Sequence, residues 1–374
     1  MKPALPHEAW IVALAALPEV GPARLAALLE SGEAAEVFDR LATRRFTPSG
    51  ALEAAVGSGA ATLVARWQVA AAALDVDALW QRHVDAGVAV LVAGGPSWSE
   101  RFAADPDPPL VLFAAGQPAL LDAAPSVAVV GTRDCTRYGW DVANRLGAEL
   151  ATAGIHVVSG LARGIDGAAH RGAVDAGGSP PIGVVGTGID VVYPAGNRRL
   201  WGEVIDTGVL VTEAPLGSRP TRWRFPARNR IIAALADVVV VVESADRGGA
   251  LHTVDEAIRR DRPVLAVPGP ITSRASVGTN RLLAEVAQPC CDTADVFVAL
   301  GSAAPVASRA PAPARLAPDP DGAAVLDALG WDPAPVGAIA DRAGLDPAAA
   351  SVALLALAAT GWVAQRDGWW ERVA

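Results

Sequence analysis

Between residues 125 and 300, short β-branched runs alternate with helix-length segments. No other feature constrains the fold of this chain as tightly. The runs are Val127–Val130, Ile155–Val158, Ile182–Val185, Val209–Thr212, Val238–Val242 and Val264–Val267. Tyr138–Ala153, Gly164–Ala176 and Gly249–Arg260 are among the segments between them that are long enough for helices. Each run is continuously apolar, so each strand is covered on both faces. Strand and helix in this succession predict an α/β fold, a doubly wound parallel (Rossmann-like) sheet.

The 374 residues leave room for further domains. Residues 1–90 are Ala/Leu-rich with helical spacing and predict a helical domain. Inside it, Leu17–Leu29 places a Gly-Pro turn before a helix, similar to a helix-hairpin-helix (SAM-like) unit, with Glu19 where the usual second glycine would stand. Packing is its expected role and DNA contact the alternative. Residues 91–300 form the Rossmann-like domain, and 301–320 read as an extended Pro/Ala linker. Residues 321–374 predict a winged helix: helices Ala323–Leu329, Val336–Ala343 and Pro347–Thr360, then a hairpin over Gly361–Val373 with an Asp367-Gly368 turn. Its bases Arg342, Arg366 and Arg372 are outnumbered by acids, and Pro347–Thr360 contains no base at all. A major-groove reader needs cations, so protein contact or packing is expected there.

Composition excludes several classes. Hydrophobic residues make up 52% of the chain, enough for a large core, and the net charge of −9 argues against a generally basic nucleic-acid coat. The apolar stretch Ala9–Leu17 is framed by Glu8 and Pro18-Glu19, unlike a signal sequence. The uncharged run Pro347–Gln365 is mostly alanine and is interrupted by Gly361, so no membrane span is expected. Cys135, Cys290 and Cys291 form no Cys-x-x-Cys pair, and a reducing cytoplasm is the simplest setting. With His252 they match no zinc spacing, so no metal is expected.

In open parallel sheets, ligands lie beyond the carboxyl ends of the strands. The loops there are Gly131-Thr132-Arg133, Ser159–Asp166, Gly186–Asp190 and Arg247–Ala250. Glycines let backbone approach a ligand, and N–H groups with arginines suit phosphate oxygens. The first turn lacks Gly-x-Gly-x-x-Gly, and Ser159-Gly160 stands where a ribose-binding acid would be. No Gly-x-x-x-x-Gly-Lys-Ser/Thr occurs, and Lys2 is the sole lysine. No cofactor is expected.

The densest anomaly is Arg219–Arg230, which holds Arg219, Arg222, Arg224, Arg228 and Arg230 with Trp223 and Phe225 between them. No acid occurs between Glu213 and Asp237. Alternation across Arg222–Phe225 would put guanidinium groups on one side and rings on the other. Cations suit phosphates, and flat apolar rings suit unpaired bases.

Together these stretches resemble the DNA-processing protein A family, also called Smf. The residues that carry the likeness are Val127–Arg133, Ser159–His170, Tyr193-Pro194, Glu213, Phe225–Ala233, Glu243 and Val267-Pro-Gly269, with Asp107–Phe113 ahead of them. The resemblance implies a cytoplasmic protein that binds and protects single-stranded DNA, helps load the RecA recombinase in transformation and recombination, and dimerises through this domain. It implies phosphate contacts from Arg133 and Arg222 and a base packed on Phe225. Ser159, Gly160, Arg163 and Asn229 would line the same groove. Gly131, Thr132, Arg228, Gly248 and Gly249 complete the expected DNA site. The turn Gly248–Thr253 departs from the family's Ser-Gly-Ser-Leu-Ile-Thr and offers only backbone N–H groups and Thr253.

No catalytic residue is expected. Asp166 and His170, one helical turn apart, would hydrogen-bond to lock their loop, and Glu213 and Glu243 would be buried partners of the arginines. The competing reading is a nucleoside-monophosphate phosphoribohydrolase, because Gly248–Glu256 is similar to that family's Pro-Gly-Gly-x-Gly-Thr-x-x-Glu, with the leading proline missing and the spacing off by one. Glu256 would then assist cleavage.

Overall fold

A computed structural model describes residues 4–122, 124–301, 316–366 and 368–373. Most of the expected linker, and Asp367 of the expected turn, lie outside the described residues. The chain opens with α1 (His7–Ala15), α2 (Pro22–Leu29), α3 (Ala34–Ala42), α4 (Gly50–Val56), α5 (Ala60–Ala73) and α6 (Val76–Asp85). The α/β region runs β1 (Ala89–Val92), β2 (Val111–Gly116), β3 (Ser126–Val130), α7 (Arg137–Thr152), β4 (His156–Ser159), α8 (Ile165–Ala176), β5 (Ile182–Val184) and α9 (Arg198–Thr207). It continues with β6 (Val209–Thr212), α10 (Arg224–Leu235), β7 (Val238–Val241), α11 (Leu251–Ile258), β8 (Val264–Ala266), α12 (Val277–Glu285), β9 (Gln288–Pro289) and α13 (Thr293–Ala299). The winged helix comprises α14 (Pro320–Leu329), β10 (Ala334–Pro335), α15 (Val336–Ala343), α16 (Pro347–Ala359), β11 (Val363–Arg366) and β12 (Trp369–Arg372).

The expected parallel sheet is present. Its order is β1-β2-β6-β5-β4-β3-β7-β8-β9, parallel from β6 through β9. Two antiparallel strands, β1 and β2, extend it beyond β6. After β3 the chain steps outward through β4, β5 and β6, then returns so that β7 pairs on the other side of β3. The carboxyl ends of β3 and β7 therefore flank the crevice where a doubly wound sheet holds its ligand.

Side-chain alternation divides the core. Val127 and Val129 of β3 face α7 and α8, while Ala128 and Val130 face α10 and α11. The helices start where local chemistry dictates. Thr136 caps α7 by accepting the Gly139 N–H at 3.1 Å, and Asp346 caps α16 ahead of Pro347.

Helices α1–α6 do not stand apart. Leu14, Leu28 and Trp67 belong to one apolar cluster with Phe113 of β2, Trp201 and Val204 of α9, and Leu210 of β6. In the α1–α2 turn, Glu19 takes φ 60 and pairs with Arg66 at 2.8 Å. Gly21, just before α2, packs on the indole of Trp223: a Cβ there would lie 2.9 Å from Cη2. The turn thus packs against the arginine-rich segment.

In the winged helix, Val325, Ile339, Leu354 and Trp370 form a separate small core. Among the described residues no single helix is long and apolar enough to cross a membrane. The apolar pair α15 and α16 is bent by 106°.

Candidate functional site

At the carboxyl edge, the loops after β3, β4, β5 and β7 and the start of α10 enclose a cleft with two connected recesses. The larger, about 570 Å³, is lined by Gly131, Thr132, Arg133, Arg222, Phe225, Arg228, Asn229, Gly248 and Gly249. The smaller, about 280 Å³, takes in Gly160 and Arg163 and shares Arg133, Phe225 and Arg228. Of the residues expected from sequence to contact DNA, only Ser159 borders neither recess. It is fully buried, and its hydroxyl donates to the Val129 carbonyl at 2.6 Å. Its position supports β3 and leaves no group free to meet a ligand.

The floor is Arg228. Its Nη1 donates to the carbonyls of Gly160, at 2.8 Å, and Val184, its Nε donates to Asn229, and Asp166 lies 3.6 Å from Nη2. Glycine at 160 is required by this approach, because a Cβ there would collide with the guanidinium. Burial raises the Asp166 carboxyl, while Arg228 and the backbone N–H of Ala162 pull it down. Burial likewise lowers Arg228. Asn229 spends its amide on Arg228 and on the Gly249 carbonyl at 3.2 Å, tying α10 to the β7 loop. Arg228 and Asn229 thus shape the cleft from below.

The rim carries free charge. Arg133 and Arg222 are exposed and form no ion pair among the described residues. Arg163 is 66% exposed and only 3.4 Å from Asp134. Arg230 is committed elsewhere, to Glu213 at 2.6 Å and Asp107 at 3.1 Å. Phe225 is half-buried. The guanidinium carbon of Arg133 sits 5.1 Å from its ring centre, and the Tyr193 ring lies 5.3 Å away.

Several expectations need correction. Arg222 and Trp223 form a turn and α10 begins at Arg224, so there is no extended alternation of cations and rings. Trp223 packs toward Gly21, Arg224 lies over the indole at 5.2 Å, and Phe225 points into the cleft. Glu213 does pair with an arginine of the cluster, but Glu243 accepts from the N–H and hydroxyl of Thr136. Asp166 pairs with Arg228, whereas His170 donates from Nε2 to the Ile182 carbonyl at 3.2 Å. The two do not bond each other, because Asp166 reaches across to Arg228 of α10 and His170 to the β5 backbone. Burial holds the Cys290 thiol up at about 12 and Cys135 at about 11, so neither thiol ionises near neutrality.

Tyr193 was missed. It borders both recesses and is 42% exposed. A lone tyrosine before a proline carries no local sign of a place in this cleft, which only its proximity to Phe225 shows.

A model of the DNA recombination-mediator protein A family matches residues 89–301, and one of the DprA winged helix domain matches residues 309–368. The putative DNA processing protein DprA of Mycobacterium tuberculosis is 43% identical over 267 residues, 70% of this chain and 68% of that protein. The solved structure of DNA processing protein A from Streptococcus pneumoniae superposes with a TM-score of 0.63 at 29% identity, covering 79% of this chain and 98% of that one. The Helicobacter pylori counterpart, described for its unique single-stranded DNA binding mode, gives a TM-score of 0.52 at 29% identity over 57% of this chain and 95% of that one.

Proposed function

Because this chain belongs to the DNA recombination-mediator protein A (DprA/Smf) family, we propose that it holds single-stranded DNA along the carboxyl edge of its sheet, without covalent chemistry. One observation carries the reading. In a molecule of net charge −9, the exposed guanidinium groups of Arg133 and Arg222, without an ion pair among the described residues, stand at the mouth of a cleft walled by Phe225 and Tyr193. Phosphates bridge the rim, and bases enter only when unpaired, since a duplex cannot present its base faces to a ring. Delivery of the strand to RecA during recombination or transformation, and dimerisation through the α/β domain, belong to the same reading and rest on the family resemblance. In this reading the strand is held by the α/β part, with the N-terminal helices packed on it through a shared core and the winged helix carrying a core of its own.

The enzymatic alternative loses its residue. Glu256 is engaged by Arg259 at 3.1 Å and by Arg260, and it borders neither recess. The binding reading is tested by anisotropy with labelled oligo-dT and a duplex of equal length over a salt series. Single strands should bind more tightly. With three rim arginines on phosphates, the slope of log affinity against log salt should be roughly −2, at about 0.7 per contact. Arg133→Ala with Arg222→Ala should abolish binding. Unchanged affinity in that double variant would refute the site.

A further inference from the structure

The partition between the two recesses has chemistry of its own. Tyr193, Phe225 and Arg133 border both, Arg222 borders only the larger, and Arg163 and Pro194 border only the smaller. The smaller recess is kept open by what its backbone lacks. A side chain at Gly160 would strike Arg228, and a Cβ at Gly186 would lie 3.2 Å from Phe225 Cδ1. Its remaining lining is Ala162, Val185 and Pro194, with the Arg228 guanidinium beneath them and the Tyr193 ring on one side. At its mouth stands Arg163, 66% exposed and held only by a 3.4 Å pairing with exposed Asp134. Rings and small apolar groups on the walls, with a guanidinium at the floor and another at the lip, match a nucleotide: the base goes in against the rings, its polar edge toward Arg228, and the phosphate stays at the rim.

We infer that the smaller recess is a second nucleotide subsite, in which Tyr193 stacks one unpaired base and Arg163 holds its phosphate, while Phe225 and Arg222 serve the neighbouring nucleotide. This rests on the single-strand reading and adds to it that the ring pair separates two consecutive bases. Phe225 offers no second free face for this base, because Arg133 lies over its ring and Tyr193 leans against it at 37°. Tyr193 offers the more open surface.

The experiment uses the full chain and fluorescein-labelled oligo-dT of increasing length at several salt concentrations. Tyr193→Ala should weaken binding of long oligomers by roughly 5- to 150-fold with the salt slope unchanged, since stacking releases few counterions. Tyr193→Phe should bind like the wild type. Arg163→Ala should make the slope shallower by about 0.7. Both Tyr193→Ala and Arg163→Ala should make affinity saturate at a shorter oligomer, because one seat is lost. Wild-type affinity and length dependence in both, while Arg222→Ala is weakened, overturns the second subsite and leaves the cleft standing. Wild-type binding by the Arg133→Ala/Arg222→Ala variant overturns both. Should Tyr193→Ala fail to fold, Arg163→Ala, a change at an exposed side chain, decides by slope and length alone.

Discussion

Buried titratable groups beneath the cleft make its stability depend on pH. His170 is fully buried on α8, its Nε2 bonded to the Ile182 carbonyl, and burial pushes its pKa down to about 4. The unfolded chain takes up that proton near 6.5, so between pH 6.5 and 4 the unfolded state binds more protons. His170 therefore costs nothing above pH 6.5, and stability falls as pH drops toward 4, by up to about 3 kcal/mol. Asp166 and Glu213, both raised by burial, act in the opposite sense on acidification, so the comparison must be differential. Urea denaturation at pH 7 and pH 4.5 should show a larger acid loss in the wild type than in His170→Asn. Equal losses would mean that the imidazole is not held neutral. Nothing in the local sequence gives this away. Asp166 and His170 look like a pair one turn apart, and only long-range packing sends one to Arg228 and the other to β5.

At the scale of elements, the loop that presents Arg133 is clamped from behind by the start of α8. Gly164 sits at φ 76, and a Cβ there would collide with the Thr132 carbonyl and lie 2.7 Å from that of Arg133. Gly164→Ala should cost about 1–3 kcal/mol of stability and also weaken oligo-dT binding by displacing Arg133. Gly154→Ala is the control. At φ 85, with no atom near its would-be Cβ, it should lose stability and keep affinity. Parallel affinity losses in the two would show that strain, and not displacement of Arg133, is being measured. Strands were the most legible elements. Val127–Val130 and Val209–Thr212 lie within a residue of the observed β3 and β6, because a run buried on both faces is written mostly with apolar residues. Helix α10 was illegible. Arg222–Phe225 reads as an extended alternation of cations and rings, yet the chain turns into a helix there and buries Arg228 and Arg230, because Asp166, Glu213 and Asp107 reach them from distant segments. The antiparallel strands β1 and β2 escaped for a related reason: they precede the alternating pattern and join it only in space.

For the whole molecule, α1–α6 share one apolar cluster with β2, β6 and α9, so helices and sheet are expected to unfold together. Trp67, donating from Nε1 to the Pro18 carbonyl at 2.8 Å, is its largest fully buried side chain. Trp67→Ala should cost about 3–5 kcal/mol, and hydrogen exchange should quicken in β2 and α9 as well as in the helices around position 67. Acceleration confined to residues 7–85 would show that the two parts unfold independently. The same continuity has a practical side. A gene fragment begun at residue 90 would not yield a trimmer working copy. It would strip the cover from Phe113 and Trp201 and leave a greasy scar beside the sheet, inviting clumping before any strand of DNA arrived.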